Sequence, residues 1–224
     1  MNKIIKVCSI FFLMIFSFYY TEKVALYVQN NTPLKKEIIS YKESNNILFV
    51  NADINGDYII PGINGLEVNV NKSYNNMKSY NVFNEKYLVY DQVTPEISVS
   101  NFKNKIINMG NVKKGCVSII INGNDYVNYF KSRNINYDFL TKTNYCIKVN
   151  DYDCKNNSKQ IVEPTIILNN LNILREMSSI NKGYIIYINN DISFNYLNSM
   201  INHIKYNNLN ICKVNDHLSE NYTI

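Results

Sequence analysis

The chain has 224 residues, 46% hydrophobic and 18% charged, enough for one medium domain or two small ones with a core. That balance excludes collagen, coiled coil and wholesale disorder. The net charge of +5 is spread over 23 Lys and Arg with no block of five or six, so a nucleic-acid partner is not indicated. There are 41 Asn, 2 Ala, 19 Tyr and no Trp, a bias that an AT-rich coding sequence produces by itself.

At the start, Lys3 and Lys6 precede an uncharged run from Val7 to Tyr20, closed by Glu22 and Lys23. This is the pattern of an export signal. The run is about 14 residues, shorter than the roughly 20 of a comfortable span, but Phe18, Tyr19 and Tyr20 suit the outer interface. No small-x-small cleavage triplet follows, so the segment reads as an uncleaved signal anchor with the remainder outside the cell. A cleaved signal and secretion is the alternative. Cys8 lies too early in the run for a lipoprotein cleavage site.

Setting Cys8 aside leaves Cys116, Cys146, Cys154 and Cys212, an even number in a chain read as exported, and so two possible disulfides. Cys146 and Cys154 would close a short loop through Asp151, Tyr152 and Asp153. Cys116 and Cys212 fall at the first and last strands of the second region below. A zinc site is the lesser alternative, since there is no C-x-x-C pair and no nearby His. Four Asn-x-Ser/Thr sequons, at Asn30, Asn71, Asn156 and Asn221, are attributed to the abundance of Asn.

A short helix starting after Pro33 and running to Ser44 reads as a juxtamembrane stalk. Strands follow at Ile47 to Val50, Tyr58 to Ile60 and Leu66 to Val70, the last alternating with Glu67 and Asn69, with turns at Pro61-Gly62 and Asn64-Gly65. A short helix is predicted over 71–78, capped by Asn71, then a strand from Tyr87 to Tyr90. Thr94-Pro95 and the polar stretch to Gly110 mark a boundary.

Beyond it the period alternates. Val117 to Ile121 is an apolar run of strand length, Asp125 caps a helix holding Tyr126, Tyr129 and Phe130, and Ile135 to Phe139 is the next strand. Pro164 to Leu168 is a strand, and Leu171, Leu174 and Met177 space a helix that stops before Gly183. Tyr184 to Ile188 is again a strand. Phe194, Leu197, Ile201 and Ile204 share a helix face, and Leu209 to Val214 ends in a strand and a short helix around His217. Strands alternating with helices predict a largely parallel sheet with right-handed crossovers, an α/β fold.

Three stretches carry a family resemblance: IIPGINGLEVNVNKSYNNMK from Ile59 with Leu88-Val89-Tyr90 and Pro95-Glu96-Ile97-Ser98; Tyr145-Cys146, Cys154 and Glu163-Pro164-Thr165-Ile166; and Gly183-Tyr184-Ile185-Ile186 followed by KYNNLNICKVNDHLSE. Together they resemble the membrane-anchored polysaccharide deacetylase-like proteins of Firmicutes and Mollicutes-related bacteria, with the NodB homology domain. The resemblance touches most of Phe11 to Glu220. It implies a truncated deacetylase-like (β/α) barrel or an open, mostly parallel sheet over 111–224, after a signal anchor (1–21), a stalk (22–45) and a small α+β region (46–110).

Such deacetylases hold a divalent metal through an Asp and two His of an H-x-x-x-H turn, with a second Asp as general base and a late His as acid. Where the resemblance places a Thr-Phe-Asp-Asp strand, this chain reads Ser118-Ile119-Ile120-Ile121-Asn122-Gly123-Asn124-Asp125, with only a displaced Asp125 matching, and Phe139 to Cys146 leaves no room for the His pair. The expectation is therefore a degenerate, non-catalytic relative with no metal, no cofactor and no catalytic residue. His203 reads as a structural, partly exposed residue, His217 as a surface residue, Asp125 as a cap rather than a base, and Asp151, Asp153 and Asp191 as turn or cap residues rather than ligands. Tyr126, Tyr129, Tyr137, Tyr145, Tyr152, Tyr184 and Tyr187 offer stacking faces for an envelope polysaccharide, the partner that the resemblance implies, although most of the 19 Tyr belong to core and strands. The rivals are an active metal-dependent carbohydrate N-deacetylase, and a structural or partner-binding envelope protein using unpaired strand edges.

Overall fold

A computed structural model describes residues 3–149, 154 and 159–222; Asp151, Tyr152, Asp153 and Asn156 lie outside the described residues. In chain order the elements are α1 (Lys3–Asn30), α2 (Pro33–Asn45), β1 (Asp53–Asn55), β2 (Tyr58–Ile60), β3 (Gly65–Val68), α3 (Val70–Met77), β4 (Tyr90–Val93), β5 (Ile106–Ile107) and β6 (Cys116–Ile121). Then come α4 (Val127–Ser132), β7 (Asp138–Phe139), β8 (Cys146–Ile147), β9 (Ile161–Val162), β10 (Ile166–Leu168), α5 (Ile173–Glu176), β11 (Ile185–Ile188), α6 (Phe194–Tyr206), β12 (Asn210–Ile211) and α7 (Val214–Leu218).

The chain divides into two units, one of Met1–Ile47 and Leu66–Asp91, the other of Leu48–Gly65 and Gln92–Ile224. This differs from the linear division at residue 110. The physical reason is that β1 and β2, read from the sequence as part of a small separate region, join β5, β9 and β8 in one sheet of the larger unit.

In the first unit, α1 continues well beyond Tyr20, and its stretch Val7–Ala25 is by length and composition apolar enough to cross a membrane. Among the described residues of Val7–Ala25 the large side chains are exposed, Phe12 and Phe18 being 71% and 78% exposed. Among the described residues this stretch has no buried face. The helix α2 starts as expected, with the Thr32 side chain accepting from Lys35 N and Pro33 in the first turn. It is more than a stalk: Leu34 and Ile38 are buried against Val68 and Met77, with Tyr41, Tyr74 and Phe83 around them. The cap of α3 is Asn69, not Asn71; its side chain accepts from Lys72 N. The expected strand at Tyr87 is a 3-10 turn over Glu85–Tyr87, and pairing begins only at Tyr90.

In the second unit, the expected strand from Ile47 to Val50 is reduced at Val50 to an isolated bridge with Ile63. The central strand is β6, all six residues buried. Val117, Ile119 and Ile121 point to one face, where Phe130, Leu168, Ile186, Ile188, Leu197 and Ile201 complete the core. Ile120 points to the other, against Ile59, Ile107, Ile147, Val162, Val214 and Leu218. A run apolar apart from the buried Ser118, without polar alternation, is what burial on both faces demands.

The strands β10, β11 and β6 are parallel neighbours in that order, as the alternating pattern predicted. Two short strands then share the far edge of β6: β12 pairs at Cys116 and Val117, and β7 at Ile120 and Ile121, both parallel. Among the described residues the strands of this unit fall into two sheets, in the orders β1-β2-β5-β9-β8 and β10-β11-β6-β12 with β7 also on β6. On α5 the buried residue is Ile173, whereas Leu171 and Leu174 are 95% and 59% exposed, because a single helical turn replaces the longer helix expected from their spacing. On α6, Leu197, Met200, Ile201 and Ile204 form the buried face, while Phe194 lies at its exposed rim. Cys116 is bonded to Cys212 across the β6–β12 pair, and Cys146 to Cys154 at the start of β8.

Candidate functional site

In a parallel α/β sheet, ligands are met at the carboxyl ends of the strands. Here those ends deliver Asn122, Asn124 and Asp125 after β6, Asn169 and Asn170 after β10, and Asn189, Asn190 and Asp191 after β11. Two of these side chains, Asn169 and Asp191, bond backbone of the loop after β10. Asn169 Oδ1 accepts from Leu171 N and Asn172 N, each at 3.0 Å, and Asn172 Oδ1 accepts from Asn169 N at 2.8 Å. The Asp191 carboxylate accepts from Asn170 N.

Asp125 is exposed and does not cap α4; the residue at that position is Tyr126, without a side-chain cap bond. Instead the Tyr126 hydroxyl donates to Asn189 O and Ile192 O, at 3.0 and 2.9 Å, and ties the β6 and β11 ends together. Among the described residues no three His, Cys, Asp or Glu side chains converge on a metal position. A mainly amide donor set with two loop carboxylates does not fit the divalent ion of a deacetylase, which requires imidazole and carboxylate together.

The histidines lie elsewhere. His203, half-buried on α6, has Nε2 2.9 Å from Asn207 Nδ2 within its own helix. The expectation for His217 is overturned: it is fully buried. Its Nδ1 is 2.7 Å from the Ser118 hydroxyl near the amino end of β6, and its Nε2 has no partner among the described residues. Burial, with the Lys114 ammonium nearby, pushes His217 from the usual 6.5 down to about 4. The ring rests against Gly110, whose N–H donates to Gly183 O before β11. A Cβ at Gly110 would collide with it. Gly110→Ala is therefore expected to destabilise the protein by about 2 kcal/mol, and by under about 1 kcal/mol when His217→Ala has already opened the space. A double-mutant cycle by urea unfolding, read by tyrosine fluorescence, checks this.

The short helix α7 is held at both ends by groups that carry no sequence pattern. Asp138 on β7 accepts from Val214 N at 2.7 Å, and burial raises its carboxyl. Lys114 donates to Asp216 O at 2.6 Å and to Ser219 O, and burial lowers its ammonium. Of the tyrosines considered for stacking, Tyr126, Tyr129 and Tyr187 are buried in the two cores. Tyr137 and Tyr184 pack partly against the first core and Tyr145 against the second. Tyr152 lies outside the described residues.

No protein-family model matches the chain. Over 99 residues it is 37% identical to the uncharacterized protein YlxY of Bacillus subtilis, a match covering 42% of this chain and 31% of that protein. The chain thus spans about a third of the curated relative it matches. Among solved structures it resembles a CE4 family pseudoenzyme from Bacillus anthracis, with TM-score 0.51 and 17% identity over 85% of this chain and 96% of that one. A mutant of that pseudoenzyme described as having restored enzymatic activity superposes with the same TM-score, at 18% identity. The chain thus has a mixed α/β fold with parallel sheet elements, similar to that of a CE4 family pseudoenzyme.

Proposed function

We propose that this chain is a membrane-anchored, extracytoplasmic, deacetylase-like protein without deacetylase activity, a pseudoenzyme that binds cell-envelope polysaccharide. The observation that carries the reading is the chemistry of the strand ends. In a deacetylase-like fold, the β6, β10 and β11 termini hold amides, the exposed Asp125 and the loop-bonded Asp191 where the reaction needs a metal-bound water and a proton donor. The buried, neutral His217 sits at the opposite ends of the strands, bonded to Ser118, and cannot supply that proton.

Two features support the location. The apolar stretch of α1 follows Lys3 and Lys6, the arrangement of an anchor with its positive end inside. The two disulfides of the following region belong to an oxidising compartment.

The test is acetate release from N-acetylated chitooligosaccharides by the full chain in mild detergent with added zinc. No release above a protein-free blank is expected. Turnover abolished by a chelator and restored by metal would overturn the reading in favour of an active N-deacetylase.

A further inference from the structure

Away from the carboxyl ends of β6, β10 and β11, the second unit carries a groove of about 340 Å³, built from four separate parts of the chain. Val99 and Lys103 line it from the loop before β5, Tyr145 from the residue before β8, Gln160 from the residue before β9, and Leu218 and Glu220 from the end of α7. Its acceptor is fixed in advance. The Glu220 carboxylate takes Gly62 N at 3.0 Å and Val99 N at 3.0 Å to both oxygens, and the Glu220 carbonyl takes Asn64 N at 2.6 Å. These three bonds leave lone-pair capacity on the carboxylate.

Other polar groups in the wall are unspent. The Tyr145 hydroxyl has no hydrogen-bond partner among the described residues, and Gln160 Oε1 is buried without one while its amide nitrogen donates to Lys105 O. Burial and the Glu220 charge raise the Tyr145 phenol, which keeps it a donor at neutral pH. The Cys146–Cys154 bridge anchors the chain next to Tyr145.

The mixture of groups limits what fits. An anion meets Glu220, a cation meets Lys103, and an apolar ligand leaves the tyrosine hydroxyl and the Glu220 carboxylate without partners. A neutral ligand with many hydroxyls satisfies them and can lay its C–H face on the Tyr145 ring and the Val99 and Leu218 side chains. We propose that this groove is a saccharide-binding site for one or two sugar rings. It deepens the envelope-polysaccharide reading by placing the ligand away from the strand ends that a deacetylase uses.

The test uses the full chain in mild detergent, with N,N′-diacetylchitobiose as the probe. Calorimetric titration is expected to show binding, which Tyr145→Phe weakens about tenfold by deleting one hydroxyl from an intact ring. In the unsubstituted protein, saturating disaccharide is expected to slow acylation of Lys103, followed by mass spectrometry, at least several-fold relative to the exposed Lys131. Absence of binding at high millimolar concentration overturns the proposal. Binding with Lys103 acylation unchanged also overturns it, yet leaves the polysaccharide reading standing. Neither result bears on the lack of catalysis, which the acetate assay measures separately.

Discussion

Replacing Cys116 and Cys212 together by serine is expected to cost about 4 to 5 kcal/mol of folding stability, the largest effect of any small change in the second unit. The bridge joins residues 96 apart, from the first residue of β6 to the residue after β12, so it removes a long loop from the unfolded ensemble. The Cys146–Cys154 bridge spans only 8 residues, and the same relation gives about 2.5 kcal/mol for its loss. Urea unfolding of the two double-serine variants, in the presence of reductant for the parent as a control, measures both. The ranking is the sharper test: a larger loss from the 146–154 pair would show that the closing strand pair β6–β12 holds without its bridge.

Acidification is expected to unfold the protein through His217. In the unfolded chain this histidine titrates near 6.5, and in the folded chain at about 4. Above pH 6.5 it is neutral in both states and the contribution is complete. As the pH falls from 6.5 to about 4, only the unfolded chain takes up the proton, and stability drops by roughly 1.4 kcal/mol per unit, about 3 kcal/mol over the window. Below that, both states are protonated and the loss levels off.

Asp138 acts in the opposite sense. Burial raises its carboxyl, so the folded state takes its proton first and gains stability on acidification. That contribution is common to the parent and to His217→Asn, so the difference between their stability curves isolates His217. The variant is expected to lack the decline, and parallel curves from pH 7 to 4 would contradict the burial of a neutral ring against Gly110.

Much of the larger unit's framework was legible in the chain because its elements are strongly patterned. The run Val117 to Ile121, apolar apart from Ser118, required a strand covered on both faces, and β6 has those two faces. The spacing of Leu197, Ile201 and Ile204 placed α6 and its buried side. Shorter elements were less legible. The spacing of Leu171, Leu174 and Met177 suggested a helix, but with one turn formed, Ile173 alone reaches the core.

The division into units was hidden for a different reason. Strands of two or three residues, such as β2 and β5, carry too few side chains to reveal which sheet they join, and only the pairing of Tyr58 with Ile106 reveals it. At the strand ends, Asn122 to Asp125 are read directly from the chain, as is the lack of an H-x-x-x-H pair. His217 was not legible: in KVNDHLSE it is one polar residue among several. Its burial is decided by the lack of a side chain at Gly110, far away in sequence. The groove at Glu220 was equally invisible, being assembled from loops that share no motif.

The central claim is that the strand ends of this deacetylase-like fold do not hold a metal. Its most direct test is the metal content of the purified full chain by plasma mass spectrometry, after equilibration with zinc and removal of loosely bound ion, with Cys8 alkylated. The expected result is far less than one ion per chain, unchanged in an Asp125→Asn, Asp191→Asn double variant. Near one tightly held divalent ion per chain, lost in that variant, would contradict it.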